Sequence, residues 1–160
     1  MILFNYSQSK TKLTFKPLSQ CIEHLDLIAT WVENEWGYIR NKGVAYRKEI
    51  IEAMQDILYI GFLDIPKNKP LPVALFGLNP KGKNFDLMYV YIDKSCRDLG
   101  FGKQVVAEAK KISAKEGAKE LFLDTLKPRL TNFYAKQGAT YIAEGNIFKH
   151  PTDIMAIKLK

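Results

Sequence analysis

Apolar residues recur along this chain with two periods, and the order in which the periods alternate carries most of the architectural information. Residues 12–18 alternate weakly, as a strand does. Behind them Leu25, Ile28, Ala29, Val32 and Trp36 recur at the spacing of one helical face as far as Gly37. Ile50, Ile51 and Met54 give a shorter helical stripe, with Arg47, Lys48, Glu49 and Glu52 on its polar side. Three strands follow. Residues 57–63 and 72–78 are apolar runs joined by a proline-bearing loop, residues 79–84 (Asn-Pro-Lys-Gly-Lys-Asn) are a turn signal, and residues 85–93 are rich in aromatic and β-branched side chains. Phe101, Val105, Ala109 and Ile112 then mark the longest helix, closed by Gly117. Residues 121–123 form a buried strand, Leu130, Phe133 and Tyr134 open a helix that ends at Gly138, and residues 140–144 and 154–159 are the last strands.

The expected order is therefore β-α-α-β-β-β-α-β-α-β-β. It describes a mixed α/β (α+β) fold with a central sheet of six to seven strands flanked by about four helices. The crossover from Phe85 through the long helix to Leu123 is expected to be parallel and right-handed.

Composition narrows this picture without redirecting it. At 160 residues, 47% hydrophobic and 26% charged, the chain suits a single domain spanning residues 1–160 with one core. The first six residues lack a basic n-region and do not read as a secretory signal, and no apolar run approaches a membrane span of roughly 18 residues. Cys21 and Cys96 form neither a disulfide framework nor a metal-ligand cluster, so reduced thiols and a cytoplasmic location are expected. Lys and Arg number 24 against 17 Asp and Glu, a net charge of +7 that favours an anionic partner such as a phosphorylated cofactor or nucleic acid. Lys110, Lys111, Lys115 and Lys119 are read instead as the solvated face of the long helix and its exit.

Candidate chemistry concentrates where residues 86–93 run through Lys94-Ser95-Cys96-Arg97-Asp98-Leu99-Gly100-Phe101-Gly102-Lys103 straight into that helix. A helix start has N–H groups without intrahelical partners and carries a partial positive charge, and glycines leave room for a phosphate to approach them. A Gly-x-Gly alone also punctuates ordinary βα turns. A nucleotide P-loop is excluded because Gln104 follows Lys103, and the third glycine of a dinucleotide fingerprint is missing.

Two stretches carry a family resemblance. Arg97-x-x-Gly100-x-Gly102, behind Val90-Tyr91-Ile92, resembles the Arg/Gln-x-x-Gly-x-Gly/Ala pyrophosphate motif of GCN5-related N-acetyltransferases (GNAT). Downstream, residues 130–139 (Leu-Thr-Asn-Phe-Tyr-Ala-Lys-Gln-Gly-Ala) are similar to that family's helix ending in Phe/Leu-Tyr-x-x-x-Gly-Phe. The likeness is specific over residues 86–142, and before that only the element order agrees. Asp98 stands where many members have glycine, and Lys127 where many have an asparagine seven residues before the tyrosine.

The resemblance implies an acyltransferase that binds acetyl-coenzyme A through Val90, Tyr91, Ile92, Arg97, Asp98, Leu99, Gly100, Phe101, Gly102 and Lys103. It further implies that the acetyl group passes to a primary amine of a small molecule, peptide N-terminus or lysine by direct attack in a ternary complex. Such an amine needs a base, since its reference pKa is about 10.4. Asp86 matches the base of the histone-acetylating members, with Glu33, Glu35 or water as alternatives. Tyr134 matches the family's proton donor to the departing thiolate, and a plain core aromatic is its other reading. Glu33, Glu35, Trp36 and Tyr38 are expected to border the acceptor. Cys96 has no histidine nearby to activate it, and His24 and His150 lack metal spacing, so no metal is expected. Two other readings remain: a non-catalytic coenzyme A-binding module, and a basic nucleic-acid- or ribosome-associated protein. The latter is disfavoured because Arg and aromatic residues do not interleave on the lysine-rich helix. A monomer or homodimer without membrane association is expected.

Overall fold

The computed structural model describes residues 11–126 and 130–160, so Lys127 lies outside it. Its elements follow the expected order: β1 (Thr14–Pro17), α1 (Leu25–Arg40), α2 (Gly43–Ala53), β2 (Leu58–Leu63), β3 (Leu71–Lys81), β4 (Asn84–Ile92), α3 (Phe101–Lys115), β5 (Glu120–Leu126), α4 (Thr131–Lys136), β6 (Ala139–Ile147) and β7 (His150–Lys158). The seven strands form one sheet in the order β1-β2-β3-β4-β5-β7-β6. Only β4 and β5, joined by α3, are parallel neighbours, and the other pairs are antiparallel.

Alternation along the strands divides the core between the two faces of the sheet. On one face Phe76, Leu87, Leu121, Leu123, Met155 and Ile157 pack with Phe101, Val105, Val106 and Ala109 of α3 and Tyr134 of α4. On the other, Leu58, Ile60, Leu75 and Tyr91 pack against Leu25, Ile28, Trp31 and Val32 of α1 and Ile51 of α2. This second layer covers β2 to β4 and contains no residue of β5, β6 or β7.

Three boundaries differ from the sequence reading, each for a local reason. Helix α1 passes through Gly37 and stops at Arg40, where Asn41 takes a left-handed conformation (φ 58°) and donates its N–H to the Gly37 carbonyl at 2.7 Å. Gly37 serves packing instead, because a Cβ there would lie 2.6 Å from Glu33 Oε2. Strand β3 runs through Asn79 and Pro80 to Lys81, leaving Gly82-Lys83 as a two-residue turn closed by the Lys81–Asn84 pair. Proline is tolerated there because Leu78 N–H, pointing toward β2, meets the last partner on that side, the Ile57 carbonyl; the missing donor of Pro80 falls past it. Strands β6 and β7 are longer than expected and turn through Phe148 (φ 46°) and Lys149 (φ 72°), a conformation usually signalled by Asn-Gly. The end of α1 braces this turn: Arg40 lies over the Phe148 ring at 4.7 Å and Tyr38 meets His150 edge-on at 5.0 Å. Among the described residues no helix is long and apolar enough to cross a membrane.

Candidate active site

A break in strand pairing opens the site. Strand β4 pairs with β5 only at Phe85–Leu121, Asp86–Phe122 and Leu87–Leu123, although both strands continue beyond. On its other side β4 pairs with β3 at Gly77–Met88 and again at Leu75–Tyr91, so Tyr89 and Val90 oppose the single residue Phe76. Tyr89, at φ 53°, makes this bulge with a left-handed backbone that costs a bulky residue roughly 1–2 kcal/mol. The bulge turns β4 away from β5. Trp36 packs on the Tyr89 ring at 5.6 Å, and Arg47 Nη1 donates to the Tyr89 hydroxyl at 3.5 Å, so α1 and α2 hold the strained residue.

A cavity of about 580 Å³ fills the gap. It is lined on the α1/α2 side by Glu35, Trp36, Ile39 and Arg47, on the strands by Asp86, Met88, Tyr89, Val90, Asp124 and Thr125, and below by Tyr134. Met88 and Asp124 belong to one face of the sheet, whereas Leu123 and Tyr134 belong to the core of the other, so the cavity reaches through the sheet where the ladder has parted.

At the end of β4 the chain makes a short turn, and Arg97 is extended before Asp98 (φ 64°) and Gly100 (φ 85°) bring it to α3. The positive φ is free for glycine and strained for other residues. No side chain caps the start of α3 and its first turn has no acidic residue, which leaves the first N–H groups available to an anion. Phe101, 1% exposed, anchors this turn in the core. Asp98 and Lys103 are exposed, Leu99 half-buried. The ring of Phe133 lies 3.1 Å from where a Cβ on Gly102 would be. The Gln104 side chain ties down the segment before β1, donating to the Thr11 carbonyl at 2.6 Å and accepting from Leu13 N–H at 2.8 Å.

Comparison with known proteins identifies the architecture. The model of the acetyltransferase (GNAT) family matches residues 25–139. The chain belongs to this family. Among solved structures, aminoglycoside 6'-N-acetyltransferase complexed with coenzyme A is 17% identical, with 84% of this chain and 89% of that one covered and a TM-score of 0.66. Rv2747 from Mycobacterium tuberculosis, in complex with CoA and NLQ, is 14% identical over 92% of this chain and 99% of that one, with a TM-score of 0.70. Aminoglycoside 6'-acetyltransferase type Ii is 18% identical over 91% of this chain and 96% of that one, with a TM-score of 0.69. At these identities the likeness is one of fold. No curated protein sequence matches the chain.

Within this GNAT chain the residues singled out from sequence, apart from Asp98 to Lys103 of the glycine turn, fall into three groups. Asp86, Val90, Arg97, Tyr134, Glu35 and Trp36 line the cavity together. Tyr91 and Ile92 continue β4 beside it: the Tyr91 ring is stacked on Trp31 at 5.1 Å with the Arg97 guanidinium 5.3 Å from its centroid, and the Ile92 carbonyl accepts from Arg97 Nε at 2.8 Å. Arg97 Nη2 also reaches Glu35 at 3.5 Å, so its head is turned to the α1 side while its backbone belongs to the glycine turn. Glu33 and Tyr38 stand apart from the lining. Glu33 accepts from Arg47 Nε at 3.2 Å, and Tyr38 is 53% exposed against His150.

Electrostatics distinguish the groups that meet the cavity. Burial raises the Tyr134 phenol well above its ordinary value, so it stays protonated throughout the neutral range. The Asp124 carboxyl is raised by burial and then by Asp86, with Lys81 opposing; Lys81 Nζ lies 3.8 Å from the Asp86 carboxylate. Burial pushes the Cys96 thiol up, which disfavours the thiolate a nucleophile needs. Among the described residues no group of His, Cys, Asp or Glu is arranged to hold a metal. Asp124 and Arg47 were not among the residues read from sequence. Asp124 could have been found by pairing the two parallel strands in register, which sets it two residues beyond Phe122, the partner of Asp86.

Proposed function

We propose that this chain transfers an acetyl group from acetyl-coenzyme A to a primary amine, both bound at once. The observation that carries the reading is the cavity that passes through the sheet at the parted β4–β5 ladder, ending beside an uncapped glycine turn. It offers a thioester and an amine separate approaches to one point. The neighbour crystallised with coenzyme A supports the choice of donor.

In this reading the backbone from Arg97 to Lys103 receives the diphosphate at the start of α3, and the end of β4, Val90 to Ile92, receives the pantetheine arm where β5 is absent. Backbone N–H groups at the bulge polarise the thioester carbonyl as negative charge develops on its oxygen. Asp86 takes the proton of the attacking ammonium, and Asp124, whose own carboxyl is raised by burial and then by Asp86, stands beside it on the same face. Tyr134 donates to the departing sulfur. A phenol held above its usual value is a weak acid, so this step requires the departing sulfur to sit in a site dry enough to raise its own value as well.

Two measurements test the proposal. Acetyl-coenzyme A at a hundredfold excess over its Kd should stabilise the fold by about 2.7 kcal/mol, a shift of several degrees in Tm. Thiol release should then appear with some member of a panel of amines, amino acids and peptides. A shift without thiol release from any acceptor would favour a non-catalytic coenzyme A-binding module. A shift with RNA and none with acetyl-coenzyme A would discard the reading.

A further inference from the structure

Arg47 is 3% exposed and yet lines the cavity. A buried guanidinium is costly unless its five N–H groups, set in a rigid fork, are met. Here Nε meets Glu33 at 3.2 Å and Nη1 reaches the Tyr89 hydroxyl only at 3.5 Å, while Nη2 makes no hydrogen bond to a described residue. Glu33 cannot easily meet the remaining donors, because its carboxyl group fills the notch beside Gly37, away from the cavity lining. The guanidinium therefore presents unmet donors to the cavity, one tyrosine side chain away from the bulge where an amine would attack.

Resting on the acetyltransferase reading, we propose that Arg47 is an acceptor-binding residue that takes the carboxylate of an amino-acid-type acceptor, with amine and carboxylate on the same carbon. A carboxylate matches the guanidinium fork in plane and charge. Such an acceptor enters as a zwitterion, so no net charge is added beside the Glu33–Arg47 pair. The carboxylate lies against Arg47, the ammonium lies toward the bulge and the Asp86 carboxylate, and Trp36, Ile39 and Met88 surround an apolar side chain.

The test is a comparison of kcat/KM, by thiol release from acetyl-coenzyme A, for acceptors that differ only in the carboxylate: leucine against isoamylamine, and phenylalanine against phenethylamine. The amino acids should be preferred on the order of 10- to 100-fold, as a charged hydrogen bond at a buried site provides. The ratio should fall toward one in Arg47→Gln and to an intermediate value in Arg47→Lys, which keeps the charge but not the fork. Should Arg47→Gln fail to fold because the half-buried Glu33 is left unpaired, the double variant Glu33→Gln, Arg47→Gln removes both charges and should show the same collapse. Equal rates for the matched pairs in the natural chain, or a ratio unmoved by the variants, would overturn the proposal. The acetyl-coenzyme A melting shift on the same samples separates the failures. A shift without carboxylate preference overturns the role of Arg47 alone, and neither shift nor turnover overturns the acetyltransferase reading and this one with it.

Discussion

Along its β3 flank, strand β4 is paired from Asn84 to Ile92 with one bulge, whereas along its β5 flank the pairing ends at Leu87. Both flanks draw on the same nine residues, so intrinsic strand preference cannot explain the difference. What differs is the backbone at Tyr89: two residues opposite one on the β3 side are absorbed by the antiparallel ladder, while on the parallel side they swing the strand out of register. Unpaired strand edges are normally covered or blunted. Here the exposed edge faces a cavity bounded by α1 and α2, which suits an extended ligand that completes the ladder.

The largest expected effect comes from closing the loop at the foot of the unpaired flank. In Gly100→Val the branched side chain is forced to φ 85°, costing roughly 1–2 kcal/mol, and it intrudes where the N–H groups at the start of α3 would meet a diphosphate. Tm should fall by several degrees, and the shift on adding acetyl-coenzyme A should vanish. Gly117→Val sharpens the contrast. Gly117 has φ 88° and open space around its Cβ position, so the strain is the same; Tm should fall comparably while the acetyl-coenzyme A shift survives.

Tyr134→Phe probes the depth of the gap. It should lower kcat on the order of a hundredfold and leave the melting shift intact, since the variant keeps the ring that lines the cavity and leaves the glycine turn unaltered. Because burial holds the phenol above its usual range, kcat of the natural chain should show no alkaline loss below about pH 10 assignable to this group. An unchanged kcat in the variant would return Tyr134 to the role of a core aromatic.

The smallest effect belongs to Asp124. Its carboxyl is raised in the folded chain, so folding favours the protonated form, and the charged form costs stability at every pH above the unfolded value near 3.9. Asp124→Asn should therefore raise Tm slightly at pH 7, and the gain should disappear as the pH falls below that value. A loss of Tm at pH 7 would mean that the carboxylate is held by partners stronger than Asp86 opposes.

The element order was legible because each element carries its own period, and the glycine turn because its residues are contiguous with the strand and helix they join. The gap itself was not. Its bulge falls on Tyr89, with no glycine to mark it, and the side chains that touch Tyr89 include Trp36 and Arg47, the latter 42 residues away. Local signals also misled where tertiary context prevailed: Pro80 continues a strand, Gly37 continues a helix, and Phe148-Lys149 makes a tight turn that α1 braces. Glu33 fell on the expected helix and Tyr38 one residue past its expected end, but side-chain direction separates both from Glu35 and Trp36, which reach the cavity.

The two tryptophans of the chain both touch tyrosines of β4. Trp31 is buried in the helical layer against Tyr91, and Trp36 lies against Tyr89 on the cavity wall. The molecule thus contains a matched pair of intrinsic fluorophores, one shielded and one facing the ligand space. Occupancy of the cleft should therefore be readable in its own ultraviolet emission, without any attached dye.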